Sequence, residues 1–211
     1  MAVAVAPAVQ LLVHDRALGV RHVAGADEAG RGCLAGPLVA AAVCLDTEAD
    51  IDRALAGLDD SKRIPAPRRE QVAAAVIGCA AAFVVVVVPA SEIDRNGLHR
   101  SNLRALADAL RALGDLPDRC LSDGFVLGEG APPHRAIAGG DRTSAAIAAA
   151  SVIAKVTRDR FMHQAAGEYP DYGFERHVGY ITPEHSAAVR AHGATPLHRL
   201  SFAAAAYGQP A

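Results

Sequence analysis

The sequence predicts a layered fold of the α/β or α+β class. Short apolar segments typical of buried strands come first, and α and β patterns alternate later in the chain. No repeat or low-complexity linker interrupts the 211 residues, a length typical of one domain. Half of the residues (51%) are hydrophobic and 21% are charged, which excludes wholesale disorder.

Strand patterns occur at five places. The first runs into a glycine-rich turn, the third contains five consecutive valines, and the fourth is expected to break at Asp123-Gly124. The predicted strands are 20–27, 38–45, 83–88, 119–126 and 134–138.

Helix patterns occur at four places. Residues 98–113 carry leucines at helical spacing, and Thr143 or Ser144 is suited to cap a long helix that follows. The predicted helices are 65–80, 98–113, 143–166 and 183–192.

Residues 72–90 form an uncharged stretch of 19 residues, long enough to span a membrane. Its first half is rich in Ala and its second half in Val, while Pro65 and Pro67 suit the start of a helix. We therefore predict a helix followed by a buried strand, with a membrane span as the alternative.

The cysteines and the charge balance further narrow the class of protein and its cellular compartment. The four cysteines, Cys33, Cys44, Cys79 and Cys120, have neither disulfide-scaffold nor zinc-ligand spacing, which is typical of a reducing compartment. The N-terminus lacks the cationic region of a secretory signal, so a cytoplasmic location is expected. With 21 basic and 23 acidic side chains, any nucleic-acid partner must be held by a local patch.

The first candidate site is the segment Gly25-Ala-Asp27-Glu28-Ala-Gly30-Arg31-Gly32. Adjacent carboxylates on a strand point to opposite sides, but the glycines allow a sharp turn that would bring both around one hard cation. Backbone N–H groups of the turn would then face a phosphate or a hydroxyl. A surface turn with two solvated acids is the alternative.

Two further carboxylates lie at the ends of predicted elements. Asp123 ends an apolar strand, and Asp141 lies just before a helix, where it could serve only as a cap. Together with Asp27 and Glu28 they would form an all-oxygen cluster, which favours Mg²⁺ or Mn²⁺.

The only two lysines of the chain lie in the remaining motifs, Asp60-Ser61-Lys62 and Ser151-Val-Ile-Ala-Lys155-Val-Thr-Arg158-Asp159-Arg. Lys155 and Asp159 are spaced to form a surface ion pair. Alternatively, this helix lays its cations along a nucleic-acid backbone.

These motifs, in this order, resemble bacterial ribonuclease HII, the type 2 ribonuclease H. The matching segments are GADEAGRGCLAGP, DSK, SDG, GDRTS, AAASVIAKVTRDR and the tail YPDYGFERHVGYITPEH with HRLSF. The resemblance implies an RNase H-like fold, with a central mixed sheet flanked by helices and a C-terminal helical extension. It also implies one catalytic domain over 1–211, with a core at about 20–166 and a helical segment at about 167–203.

The resemblance implies an endonuclease that cuts RNA in RNA–DNA hybrids and cuts 5′ to single ribonucleotides embedded in duplex DNA. Products would carry 5′-phosphate and 3′-hydroxyl ends. Two Mn²⁺ or Mg²⁺ ions would be held by the four acids Asp27, Glu28, Asp123 and Asp141. The resemblance also implies nucleic-acid contacts: Gly30, Arg31 and Gly32 would contact the ribose 2′-OH, Tyr180 would stack on the sugar, and Lys62 would contact a phosphate. Lys155 is a further candidate for a nucleic-acid contact.

Two positions depart from the family pattern. Residues 97–102 replace the usual Asn and Thr phosphate contact, for which Asn102 is a possible substitute, and Val178 stands where a Lys is usual. Val178 either removes a backbone contact or faces the core. No membrane or obligate protein partner is implied. The alternatives are another two-metal phosphodiesterase or phosphatase and a non-catalytic binding module.

Overall fold

A computed structural model describes residues 7–202 and 205–207. Within these residues the helices are α1 (Pro7–Arg16), α2 (Ala66–Cys79), α3 (Ala90–Asn96), α4 (Leu98–Arg111), α5 (Ala145–Glu168), α6 (Phe174–His177) and α7 (Pro183–His192). The strands are β1 (His22–Ala29), β2 (Leu38–Asp46), β3 (Ala82–Val88), β4 (Arg119–Asp123) and β5 (His134–Ile137).

The five strands form one mixed sheet in the order β3-β2-β1-β4-β5. β3, β2 and β1 are antiparallel neighbours, whereas β1, β4 and β5 run parallel. The predicted mixed central sheet is therefore confirmed. Because parallel neighbours end at the same edge, the C-terminal ends of β1 and β4 lie side by side.

Helices cover both faces of the sheet, as predicted. Alternate residues of β2 point to opposite faces, so Val39 and Val43 pack with α1, α2 and α5, while Leu38 and Cys44 pack with α3 and α4. The middle of β1 and nearly all of β2 are apolar because both of their faces are buried there.

Helix α5 approaches the sheet unusually closely. A Cβ atom on Gly25 of β1 would lie 2.2 Å from the backbone nitrogen of Ile147. The alanine-rich first turns of α5 and the glycine in β1 permit this approach, which brings Ser151, in the second turn of α5, next to Asp27.

The start of α5 is capped twice. The Ser144 hydroxyl accepts a hydrogen bond from the Ile147 backbone N–H, which confirms Ser144 as the cap. The buried Asp15 carboxylate of α1 accepts from the Ala146 N–H at 2.9 Å. Helix α1 was not predicted, and its residues Ala8, Leu11 and Leu12 extend the core beyond the expected start near residue 20.

The ends of several elements differ from the predictions by a few residues. β4 ends at Asp123, at the predicted break, and does not resume over 124–126, because Gly124 takes a left-handed φ of 67°. The uncharged stretch 72–90 divides into the end of α2 and strand β3, as predicted. No helix within 7–202 or 205–207 is long and apolar enough to cross a membrane.

The segment after α5 packs against the residues that follow strand β1. Phe174, Tyr172 and Val189 form a third apolar cluster with Leu34 and Ala35, which follow β1. This packing brings the loop between α6 and α7, which contains Tyr180, next to the end of β1.

Candidate active site

The parallel pairing of β1 and β4 sets the position of the first carboxylates. Ala26 is aligned with Ser122, so the next residues, Asp27 and Asp123, lie on neighbouring strands at the same edge. The Gly140 N–H donates to Asp123 Oδ1 at 2.6 Å, which holds the segment containing Asp141 against the same edge.

Asp27 is almost completely buried, with 6% of its surface exposed. Burial raises its pKa well above the ordinary value, and the negative charges of Glu28 and Asp123 raise it further. The Glu28 backbone N–H, which donates to Asp27 Oδ1 at 2.7 Å, and the nearby Ser151 hydroxyl act against this shift. An opposing positive charge would therefore be strongly favoured here.

Glu28 leaves β1 on the opposite face, toward α4. Its side chain lies near Asn102 and 3.6 Å from the Arg31 guanidinium, whereas Asp27 faces Ser151 of α5. Both acids are paired residues of β1, since Glu28 is aligned with Ala40 of β2, and they point to opposite sides as expected for adjacent strand residues; the glycine turn follows them at Gly30. Burial raises the pKa of Glu28, and Arg31 partly offsets this.

Asp141 is not the cap of α5, because Ser144 fills that role. It lies in a short 3₁₀ turn, is 8% exposed, and has its pKa raised first by burial and then by the charges of Asp60 and Asp123. This burial without a capping bond supports the interpretation of Asp141 as part of the acidic site.

A cavity of about 210 Å³ opens beside these acids. Eight of the predicted site residues line it: Asp27, Glu28, Gly30, Arg31, Gly32, Lys62, Lys155 and Tyr180. Asp123 and Asp141 are not among the lining residues, but the charge of Asp123 raises the pKa of both Asp27 and Asp141. Another cavity, of about 370 Å³, lies along α4 among Arg100, Arg104 and Arg111, but it contains none of these four acids.

The two glycines of the Gly30–Gly32 turn have different roles. Gly30 has a φ of 95°, and a Cβ there would lie 2.1 Å from Arg158 Nε, so the fold itself requires this glycine. A Cβ on Gly32 would meet nothing within 4 Å. The fold therefore leaves Gly32 open for close approach by a molecule in the cavity.

Two buried arginines, neither of which was predicted as structural, hold this turn from behind. Arg158 donates to the carbonyls of Ala35, Pro37 and Val178, at distances of 2.7–3.0 Å. Arg199 donates to the carbonyls of Gly36 and Arg31. Because Arg158 is only 1% exposed, the hypothesis that it lies along a nucleic-acid backbone is wrong.

Lys62, Lys155 and Tyr180 form the other wall of the cavity. Lys155 makes the predicted ion pair with Asp159 at 2.7 Å, and its Nζ lies 5.7 Å from the centre of the Tyr180 ring. Tyr180 is 42% exposed, so part of its side chain is accessible from the cavity. Lys155 therefore makes the predicted ion pair and also lines the cavity.

The structure also shows the environment of the two positions that depart from the family pattern. Asn102 has no exposed surface, so it does not offer its amide to a phosphate; it faces Glu28 instead. Val178 is half-buried against the third cluster, which supports the alternative that it faces the core. Val178 also has a φ of 42°, an uncommon conformation for a β-branched residue.

The acidic residues fit a divalent metal by their chemistry. Glu28 Oε2 is buried with no hydrogen-bond partner among the described residues, and the neighbouring acids raise one another's pKa. Such oxygen donors suit Mg²⁺ or Mn²⁺. Within 7–202 and 205–207, however, no three His, Cys, Asp or Glu side chains are grouped as a ready-made metal site.

Comparison with solved structures defines the class of protein. The crystal structure of ribonuclease H2 from Pyrococcus horikoshii OT3 superposes with a TM-score of 0.75 at 28% identity, covering 86% of this chain and 93% of that one. A mixed sheet flanked by helices, with carboxylates at the ends of its central strands, is thus an RNase H-like fold.

Comparison of sequences gives the particular family. The family model of ribonuclease HII matches residues 24–205. Ribonuclease HII of Salinispora arenicola is 51% identical over 193 residues (89% of this chain, 70% of the relative), and that of Geobacillus kaustophilus is 49% identical over 197 residues (92% and 74%). The chain belongs to the ribonuclease HII family.

Proposed function

We propose that this protein is a metal-dependent endoribonuclease that cuts RNA in RNA–DNA hybrids and cuts 5′ to single ribonucleotides in duplex DNA. Its membership of the ribonuclease HII family makes it a ribonuclease H, a hydrolase of phosphodiester bonds. The observation that carries the substrate proposal is the cavity where Asp27 and Glu28 face the open Gly32 turn, two lysines and the exposed Tyr180 ring.

Asp27, Glu28, Asp123 and Asp141 would hold two Mn²⁺ or Mg²⁺ ions. When bound, such ions supply Lewis-acid stabilisation of charge on phosphate oxygens and a more acidic water. The buried acids must be ionised to hold cations. Their raised pKa values mean that protons compete for these sites at a higher pH than for ordinary carboxylates.

The remaining residues bind and orient the substrate. Lys62 is exposed at the cavity mouth and suits a phosphate, while Lys155 is held in place by Asp159. Backbone groups at Gly32 can approach a ribose closely because no side chain intervenes, and the 2′-OH distinguishes RNA from DNA. The Tyr180 ring offers a stacking surface for the sugar at the ribonucleotide junction.

Mapping of the cleavage site tests this proposal. A duplex with one embedded ribonucleotide, a long RNA–DNA hybrid and an all-DNA duplex are incubated with the enzyme and Mn²⁺ or Mg²⁺. The first should be cut 5′ to the ribonucleotide, leaving 3′-hydroxyl and 5′-phosphate ends, and the all-DNA duplex should stay intact. Hydrolysis of a simple phosphomonoester, without cleavage of either ribonucleotide substrate, would instead identify a phosphatase.

The cellular setting is also part of the proposal. All four cysteines are free, and burial raises the pKa of Cys33, Cys44, Cys79 and Cys120, which suits a reducing cytoplasm. We expect cleavage to need no obligate protein partner, so the purified chain should suffice in the assay above.

A further inference from the structure

Three histidines of the C-terminal segment are buried and are not used by the proposed reaction. His177, His185 and His198 have exposed fractions of 8%, 0% and 2%. The rings of His177 and His185 stack with centroids 4.4 Å apart, and His185 Nε2 lies 3.0 Å from His198 Nε2. Polar rings this deeply buried need defined hydrogen-bond partners.

The hydrogen bonds fix one arrangement of protons. The Thr195 backbone N–H donates to His198 Nδ1 at 2.9 Å, so the proton of a neutral His198 is on Nε2. His198 Nε2–H then donates to His185 Nε2. His185 carries its own proton on Nδ1, which donates to the Tyr180 carbonyl at 2.8 Å. Burial keeps both rings neutral, since it lowers the pKa of His185 and lowers that of His198 to about 4.

His177 holds the other side of the same turn. The Gly179 N–H donates to His177 Nδ1 at 3.2 Å, and His177 Nε2 donates to the Tyr172 carbonyl at 2.9 Å. The Gly179 carbonyl in turn accepts from the Leu34 N–H at 2.9 Å. The backbone on both sides of Tyr180 is thus held by imidazoles and tied to the segment that follows the Gly30–Gly32 turn.

We propose that His198 and His185 are positioning residues, which act through the Tyr180 carbonyl to set the Tyr180 ring against the ribonucleotide. This inference rests on the proposed function and adds a role that lies outside the cavity. The chain from Thr195 through His198 and His185 to Tyr180 works in one direction only, because each imidazole accepts on one nitrogen and donates from the other.

A matched pair of variants separates positioning from packing. In His198→Gln the side-chain amide can still donate toward His185, whereas His198→Leu fills a similar volume without a donor. Both remove Nδ1, the atom that accepts from the Thr195 N–H. His198→Leu should lower kcat/KM on the single-ribonucleotide duplex about five- to tenfold, as expected for a weakened stacking contact, and His198→Gln should retain most of it. Equal losses in both variants would overturn the proposal.

A double-mutant cycle tests whether the effect passes through Tyr180. In a Tyr180→Ala background, His198→Leu should cost little further activity, because the ring that it positions is gone. A full additional loss would overturn the proposal. If His198→Leu does not fold, His185→Asn and His185→Leu give the same comparison, since the Asn amide can still donate to the Tyr180 carbonyl.

A spectroscopic measurement is independent of catalysis. Nitrogen-15 NMR of the imidazoles in the wild-type protein should show neutral rings, with the proton on Nδ1 of His185 and on Nε2 of His198. The opposite tautomers would overturn the relay whatever the enzyme cleaves. Correct tautomers in a protein that cleaves no ribonucleotide substrate would instead contradict the proposed function.

Discussion

The hydroxyl oxygens of Ser61 and Ser151 lie 2.8 Å apart in a buried hydrogen bond. Ser61 precedes Lys62 in the loop that borders the cavity, and Ser151 projects from α5 beneath Asp27. The bond therefore connects a candidate phosphate-binding lysine with a candidate metal ligand, although 90 residues separate the two serines.

Ser151→Ala should weaken metal-dependent activity without unfolding the protein. The substitution removes a hydroxyl that favours ionised Asp27 and leaves Ser61 without its partner. Loss of such an outer contact typically costs about 10- to 100-fold in metal affinity or activity. The measurement is the Mn²⁺ concentration for half-maximal cleavage, with Ser91→Ala on the exposed surface of α3 as the control. An unchanged metal requirement would show that Ser151 only packs.

Asp27→Asn should abolish cleavage and raise the melting temperature of the metal-free protein. The amide cannot serve as a charged ligand, but it also removes a buried negative charge that lies close to Glu28 and Asp123. Thermal melts in EDTA and cleavage assays with Mn²⁺ measure the two effects. A variant that is less stable than wild type in EDTA would contradict the electrostatic description of this site.

The fold could be predicted from the sequence wherever an element has a strong pattern. The five valines of β3 and the leucines of α4 located those elements to within two residues. Helices α3 and α6, with seven and four residues, are too short to show a period. Helix α1 does have apolar residues at helical spacing (Ala8, Leu11 and Leu12), so its signal was present in the sequence.

The site could be predicted only in part. Carboxylates at strand ends and the glycine-rich turn are visible as residue types, and the structure brings eight of the ten predicted residues to one cavity. Roles that depend on distant contacts leave no local signal. Arg199 bonds to the Arg31 carbonyl 168 positions away, and in the sequence it is one cation among many.

Acid should destabilise the fold through His198. Its ring faces His185 of α7, Tyr172 and Tyr207, with centroid distances of 5.2, 5.4 and 6.3 Å, and burial followed by the nearby His185 lowers its pKa to about 4. The unfolded chain binds this proton near the ordinary pKa of 6.5. The contribution of neutral His198 to the free energy of unfolding is therefore complete above pH 6.5 and is lost as the pH falls toward 4.

At about pH 5 the loss of stability should reach roughly 2 kcal/mol, which corresponds to a melting temperature lower by about 4–8 °C. His198→Gln should flatten this part of the pH profile. The raised pKa values of Asp27 and Glu28 act in the opposite direction, since protonation relieves their burial. The comparison is therefore made between wild type and His198→Gln over the same pH range. Parallel profiles would show that His198 does not titrate in this way.

Substitution of Gly30 and of Gly32 by alanine should separate an effect on folding from an effect on function. Gly30→Ala places a Cβ against Arg158 and the Pro37 carbonyl at a φ of 95°, so we expect a destabilisation of about 2–4 kcal/mol. Gly32→Ala meets nothing in the protein and should leave the melting temperature nearly unchanged. The added methyl should nevertheless displace the ribose and lower cleavage about 10- to 100-fold. Gly78→Ala, equally free of contacts but on α2, is the matched control. Full activity of Gly32→Ala would show that the substrate does not approach this turn.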